Sequence, residues 1–208
     1  MGKMGKTVQG KGTSDERPLL EAALENIEAG VNLISGSEVL SAIPIVGTAF
    51  KVCRGIDDLR ARVFIAKLQR FVTDPSLNSE AAKEALKRTA ESPSEESIKI
   101  GETLFLILER LADIEKPALL ARVFAGYLAG QITGEDLRRL AAAIDAAFLE
   151  DINQLIGTIG ESNQSDFAPW KRSLVVAGLT EQAPAGPIGG RFVFQVTPLG
   201  HALIKAIT

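Results

Sequence analysis

Few residues in this chain are of the types that move protons, attack carbonyls or hold metals. His201 is the single histidine and Cys53 the single cysteine, so neither a histidine-based acid–base pair nor a His/Cys metal cage can be assembled. The adjacent carboxylates Asp57-Asp58 and Glu150-Asp151 fall in helical stretches. Sequence neighbours on a helix do not face one another, so neither pair converges on one proton or cation. Glu109 and Asp113 do share a face, as the polar stripe of an otherwise apolar helix. Gly5-Lys6-Thr7 and the run Gly5 to Gly12 approach a phosphate-binding loop. That loop needs Ser or Thr after the lysine, a strand before it and a helix after it. Gly12 stands in the hydroxyl position, and no strand precedes. These residues imply no enzyme, no metal site and no cofactor.

The elements that carry them are helical. Apolar residues make up 46% of the 208 residues, enough for a sizeable core, and aromatics only 5%. Alanine and leucine dominate, which favours packed helices over sheet. Residues 1–17 are rich in Gly and Lys and read as a flexible tail. Residues 18–159 read as a multi-helix bundle. Leu20, Leu24, Ile27 and Val31 recur at helical spacing after Pro18. A long helix from Ile45 to Phe71, bent at Gly55, carries Cys53 as a buried thiol. Thr133 and Asp136 make a capping box for a helix running from Leu137 to Ile159 on one apolar face. Leu104, Phe105, Leu108, Val123, Phe124, Ile144 and Phe148 are the expected central core.

Charge and hydropathy patterns suggest surfaces. Lys51, Arg54, Arg60, Arg62, Lys67 and Arg70 set six basic residues against two acidic ones in residues 51–70, and residues 91–115 set seven acidic against two basic. The two stretches either complement one another across a groove or leave a basic face for an acidic partner, a phosphate backbone or a membrane surface. Residues 30–50 carry Glu38 as their only charge. Val39, Leu40, Ile43, Ile45, Val46 and Phe50 there belong to a buried hairpin or to a segment that meets a partner or bilayer. The uncharged run from Val39 to Phe50 is far short of the roughly 20 residues of a spanning helix. A single cysteine and a polar amino-terminal stretch fit a cytoplasmic setting.

After Gly160 the pattern changes. Lys171–Gln182 (KRSLVVAGLTEQ), the turn APAGPIGG, the alternating strand RFVFQV and the helix TPLGHALIKAI resemble the carboxy-terminal half of a winged-helix domain. The resemblance implies that residues 160–208 form a winged-helix-like subdomain with one short β-hairpin. Its recognition helix would end at Ala177-Gly178-Leu179, and Lys171, Arg172 and Arg191 would be the nucleic-acid contacts. GESNQSDFA stands where that family has its second helix, and winged helices degenerate in this way serve as protein-binding or dimerising modules. The stretch from Ser41 to Phe71 also resembles part of a group of bacterial proteins, a likeness that implies no activity.

The expectation is therefore a non-enzymatic protein-interaction or regulatory module with a protein partner or a second copy of itself. A DNA-binding regulator acting through the carboxy-terminal end ranks second, because net charge −3 and an excess of one basic residue in 161–208 are thin for phosphate binding. A membrane-active effector acting through residues 30–50 ranks third.

Overall fold

The computed structural model describes residues 31–32, 34–37, 39, 43–54, 58–157, 168–184 and 192–208. The flexible tail expected at 1–17, the helix expected from Pro18 as far as residue 30, Leu40, the boundary at 160 and Arg191 lie outside the described residues; Val31 and Ile34 near that helix's end are helical, with Ile34 buried.

The chain is mostly helical, with one small antiparallel sheet near the carboxy terminus. The helices are α1 (Pro44–Arg54), α2 (Leu59–Val72), α3 (Glu80–Glu91), α4 (Glu95–Arg110), α5 (Lys116–Leu128), α6 (Gly134–Ala146), α7 (Leu149–Gly157) and α8 (Pro169–Ser173). Strands β1 (Thr180–Pro184) and β2 (Phe192–Val196) follow, then α9 (Pro198–Ile207). A 3-10 turn, Pro75–Asn78, joins α2 to α3.

Side-chain caps set most starts. Asp58 accepts from Arg60 N at 3.3 Å, and Ser79 from Ala82 N at 3.2 Å. Ser94 and Ser97 exchange reciprocal bonds at the head of α4. The capping box at Thr133 forms as its sequence predicts: Asp136 N donates to Thr133 Oγ1 and Thr133 N to Asp136 Oδ2, both at 3.1 Å. Each such cap satisfies amide groups that a helix leaves unpaired in its first turn.

Two long helices of the sequence reading are divided. The run from Ile45 to Phe71 is α1 and α2, with a new start at Asp58. The run from Leu137 to Ile159 stops at Ala147, whose backbone is extended at φ −87° and ψ 156°. A continuous helix would carry Phe148 on the buried face of Ile144; the extended residue resets the phase, and Phe148 is 70% exposed. Phe148 therefore leaves the expected core. Phe105 is half-buried, edge-on to Phe64 at 5.8 Å between ring centroids. Leu104, Leu108, Val123, Phe124 and Ile144 are buried as expected. Helix α4 shows more than a polar stripe to solvent, because Ile98 and Leu106 are also exposed.

Helix α5 is the centre of the packing. It touches α2, α3, the 3-10 turn, α6 and α9. Leu120 and Val123 are fully buried, and Phe124 stacks between Phe71 at 6.0 Å and Tyr127 at 6.2 Å. Helix α9 lies against α5 at Gly126, where a Cβ would sit 2.5 Å from the Ala206 carbonyl oxygen. Gly200 plays the same part at the sheet, where a Cβ would meet Leu179 O at 2.3 Å. Leu174, Leu179, Leu203 and Ala206 join the same apolar cluster as the bundle. The carboxy-terminal elements thus share the bundle's core.

Gly126→Ala, forcing α9 off α5 by backbone contact, should cost about 1–3 kcal/mol, and Phe124→Ala about 3–5 kcal/mol. Phe148→Ser should stay within about 0.5 kcal/mol of the parent. Denaturant melts of the three variants check the order; a Phe148→Ser loss matching that of Phe124→Ala would contradict it.

Candidate functional site

Two residues of the expected basic face, Lys67 and Arg70, are taken up by a helix end and an ion pair. Lys67, only 7% exposed, donates from Nζ to Glu109 O at 2.9 Å, at the carboxy-terminal end of α4. Lys116, equally buried, donates to Asp145 O at 3.0 Å, at the end of α6. Both ammonium groups meet carbonyls that the helix leaves unpaired, at the negative end of its dipole. Arg70 pairs with Glu115 and Arg110 with Asp145, so complementarity between the basic and acidic stretches is real at Arg70. Lys51 and Arg60 are exposed and Arg62 is half-buried; the side chain of Arg54 is outside the described set.

Burial pushes the Lys67 pKa below the usual lysine value, and the nearby Glu109 and Asp145 oppose the shift. Burial and the Glu96 carboxylate raise that of the Tyr127 phenol. Hydrogen bonds from Thr133 hold the Asp136 carboxyl below its ordinary range. Each shift has a structural partner, and the three groups sit on different elements.

The apolar segment expected as a partner or membrane contact is part of the core. Val39, Ile43, Val46 and Phe50 are each no more than 4% exposed, so they are corrected to buried packing residues. Helices α1 and α4 pack together over this apolar side. The side chain of Ile45 is outside the described set, as is that of Cys53. Among the described residues no helix is long and apolar enough to cross a membrane.

Of the expected nucleic-acid contacts, Lys171 and Arg172 are described and Arg191 is not. The stretch at Lys171 is a five-residue helix followed by turns, with Leu174 N donating to Trp170 O and Gly178 N to Val175 O. Lys171 is 8% exposed, its Nζ 5.6 Å from the Trp170 ring centroid. Little of Lys171 is therefore open to a phosphate. Arg172 is exposed. His201 is exposed on α9, and Glu150 is exposed near the start of α7. Asp113 lies beyond the end of α4 and accepts from Glu115 N, so it does not share a helical face with Glu109. Among the described residues no group of three or more His, Cys, Asp or Glu is placed to hold a metal ion.

Two surface features remain. A cleft of about 530 Å³ between the 3-10 turn, α5 and α9 is lined in part by Asp74, Ser76, Arg122 and Gln131. Its buried carboxylate, Asp74, is already engaged by Ser76 N and Oγ and by Arg122 at 3.5 Å. The second feature is apolar. Phe148 is 70% exposed, Val176 87%, Phe192 51% and Val175 38%. They belong to α7, α8 and the hairpin, or to the residues adjoining them, and α8 packs on α7 and on both strands. Val176 escaped sequence reasoning because VVAGL continues the helical period; the turn that exposes it begins at Leu174.

No family model matches the chain, and no solved structure matches it. It is similar in part to serine hydroxymethyltransferases of Rickettsia peacockii (strain Rustic) and Rickettsia rickettsii (strain Sheila Smith), at 27% identity over 115 residues. The match covers 53% of this chain and 27% of each of those enzymes. The chain thus spans about a quarter of the length of the curated relatives it matches.

With its folded-state pKa lowered, Lys67 binds its proton less tightly folded than unfolded. Stability should therefore rise as pH climbs toward the ordinary lysine value of 10.5. The stability difference between the parent and Lys67→Met should grow in the parent's favour through that window in denaturant melts. A difference that stays flat would show that Lys67 is not desolvated.

Proposed function

We propose that the chain is a non-enzymatic protein-interaction module working in the cytoplasm, with its contact surface at the carboxy-terminal end. The observation that carries this reading is the set of exposed apolar side chains, Phe148, Val176 and Phe192, on elements that pack against one another. Scattered single apolar residues are ordinary on a surface; several on one group of small elements mark a place where another protein removes them from water. The charges add support. Lys67 and Lys171 are buried and Arg70 is paired with Glu115, and the net charge of −3 is thin for counterion release. A duplex-DNA contact would rest on Arg172 and Arg191 without Lys171, a poor footprint for a phosphate backbone.

A photo-crosslinking amino acid placed at residue 148 or 176, in cells that carry this chain natively, should give protein adducts. The same group at the exposed Glu91, on the far side of the sequence from these elements, should give none. Equal labelling at all three positions would contradict the assignment.

A further inference from the structure

We infer that the outer edge of β2 pairs antiparallel with β2 of a second copy of this chain, joining two hairpins into one four-stranded sheet. The inference rests on the interaction reading above and names its occupant. The sheet has two strands, with Thr180 opposite Val196 and Pro184 opposite Phe192. Among the described residues each strand therefore has one edge bonded to its neighbour and one edge with none. Among the described residues no backbone group outside the sheet bonds to Phe192, Val193, Phe194, Gln195 or Val196. An edge of that kind is a template for another strand unless charge or proline blocks it.

The two edges differ in that respect. Strand β1 reads TEQAP: Glu181 puts a charge on it, and Pro184 has no N–H to give. Two copies of β1 side by side would bring two Glu181 carboxylates together. Strand β2 reads FVFQV, with no charge and no proline, so self-pairing opposes no like charges. Nothing in β2 discourages a partner strand.

Alternation then fixes the register. Phe192, Phe194 and Val196 share one face. Val196 packs on the core beside Gly200, Phe194 is half-buried and Phe192 is half in solvent. The apolar row thus begins inside the molecule and runs out of it. Antiparallel pairing about Phe194 sets Phe194 against the partner's Phe194 and Phe192 against the partner's Val196. The exposed end of one row then lies beside the covered end of the other. On the opposite face Val193 meets the partner's Gln195. The arrangement is isologous, as a closed dimer requires.

Light-scattering mass of the full chain across a concentration series tests this, starting from 22.2 kDa for one chain. The parent should climb toward twice that mass, and Phe192→Lys should weaken the association about tenfold or more by placing a charge in the paired row. A second measurement does not depend on how Phe192→Lys folds. In a Cys53→Ser background, Val193→Cys with Gln195→Cys should oxidise to a covalent dimer, and Glu181→Cys should not. A parent that stays at 22.2 kDa throughout overturns the pairing; so does a dimer that Phe192→Lys leaves intact and the 193/195 cysteines fail to link. Adducts at residues 148 and 176 would in that case keep the interaction surface while discarding its occupant. Their absence would discard both.

Discussion

The close approach of α9 to α5 is the contact on which the rest of the molecule depends. Helix α5 has few polar residues and is covered from several directions, by α2, α3, α6 and α9. A helix that apolar is stable in water only when its neighbours close around it. At Gly126 the missing side chain lets the Ala206 backbone come into direct contact, which brings Leu203 and Ala206 into the bundle's cluster. Because the hairpin leads straight into α9, fixing α9 also fixes the sheet. Thr197 holds the junction: its N donates to Leu179 O at 3.1 Å and its Oγ1 to Gly178 O at 2.7 Å. Val196 is drawn inward by this anchorage, and Phe192, four residues earlier on the strand, is left at the rim.

Electrostatics in this fold serve mainly to finish helices. Lys67 and Lys116 reach carbonyls at the ends of α4 and α6, and the loop between α4 and α5 is tied by Arg70–Glu115. Burying an ammonium is costly unless a partner meets it, and a helix carboxy terminus supplies both a hydrogen-bond acceptor and a favourable dipole. Of what reads in sequence as a basic stripe, Lys67 and Arg70 are internal fastenings, while Lys51 and Arg60 face solvent. Exposed apolar side chains remain at the carboxy-terminal end, at Phe148, Val176 and Phe192, and elsewhere at Leu59, Ile98 and Leu106.

Much of this was legible from residue types, and the rest was hidden for physical reasons. The Thr133/Asp136 box and the Thr197-Pro198 start are local: a hydroxyl or carboxylate three residues from the amide it caps needs no tertiary partner. The single hairpin followed from one alternating run flanked by glycine. Periodicity cannot see a one-residue break in phase, so Ala147 passed as helix and Phe148 as core. Nor can it see what a lysine will find after folding. Lys67, Lys116 and Lys171 each look solvated in sequence, and each is buried by elements distant along the chain or by a neighbouring ring. The apolar stretch at 39–50 left burial and a partner or bilayer contact both open until α4 was seen packed on α1.

Native-state hydrogen exchange tests most directly whether α9 and α5 form one cooperative core. Amides of Leu120 in α5 and Leu203 in α9 are followed as denaturant is raised below the unfolding transition. If the Gly126 contact unites the two helices, both amides should exchange through the same global opening, with the same free energy and the same denaturant dependence. Exchange of Leu203 through a smaller, separate opening, with Leu120 still protected, would show that the carboxy-terminal elements are an independent appendage and would contradict the account.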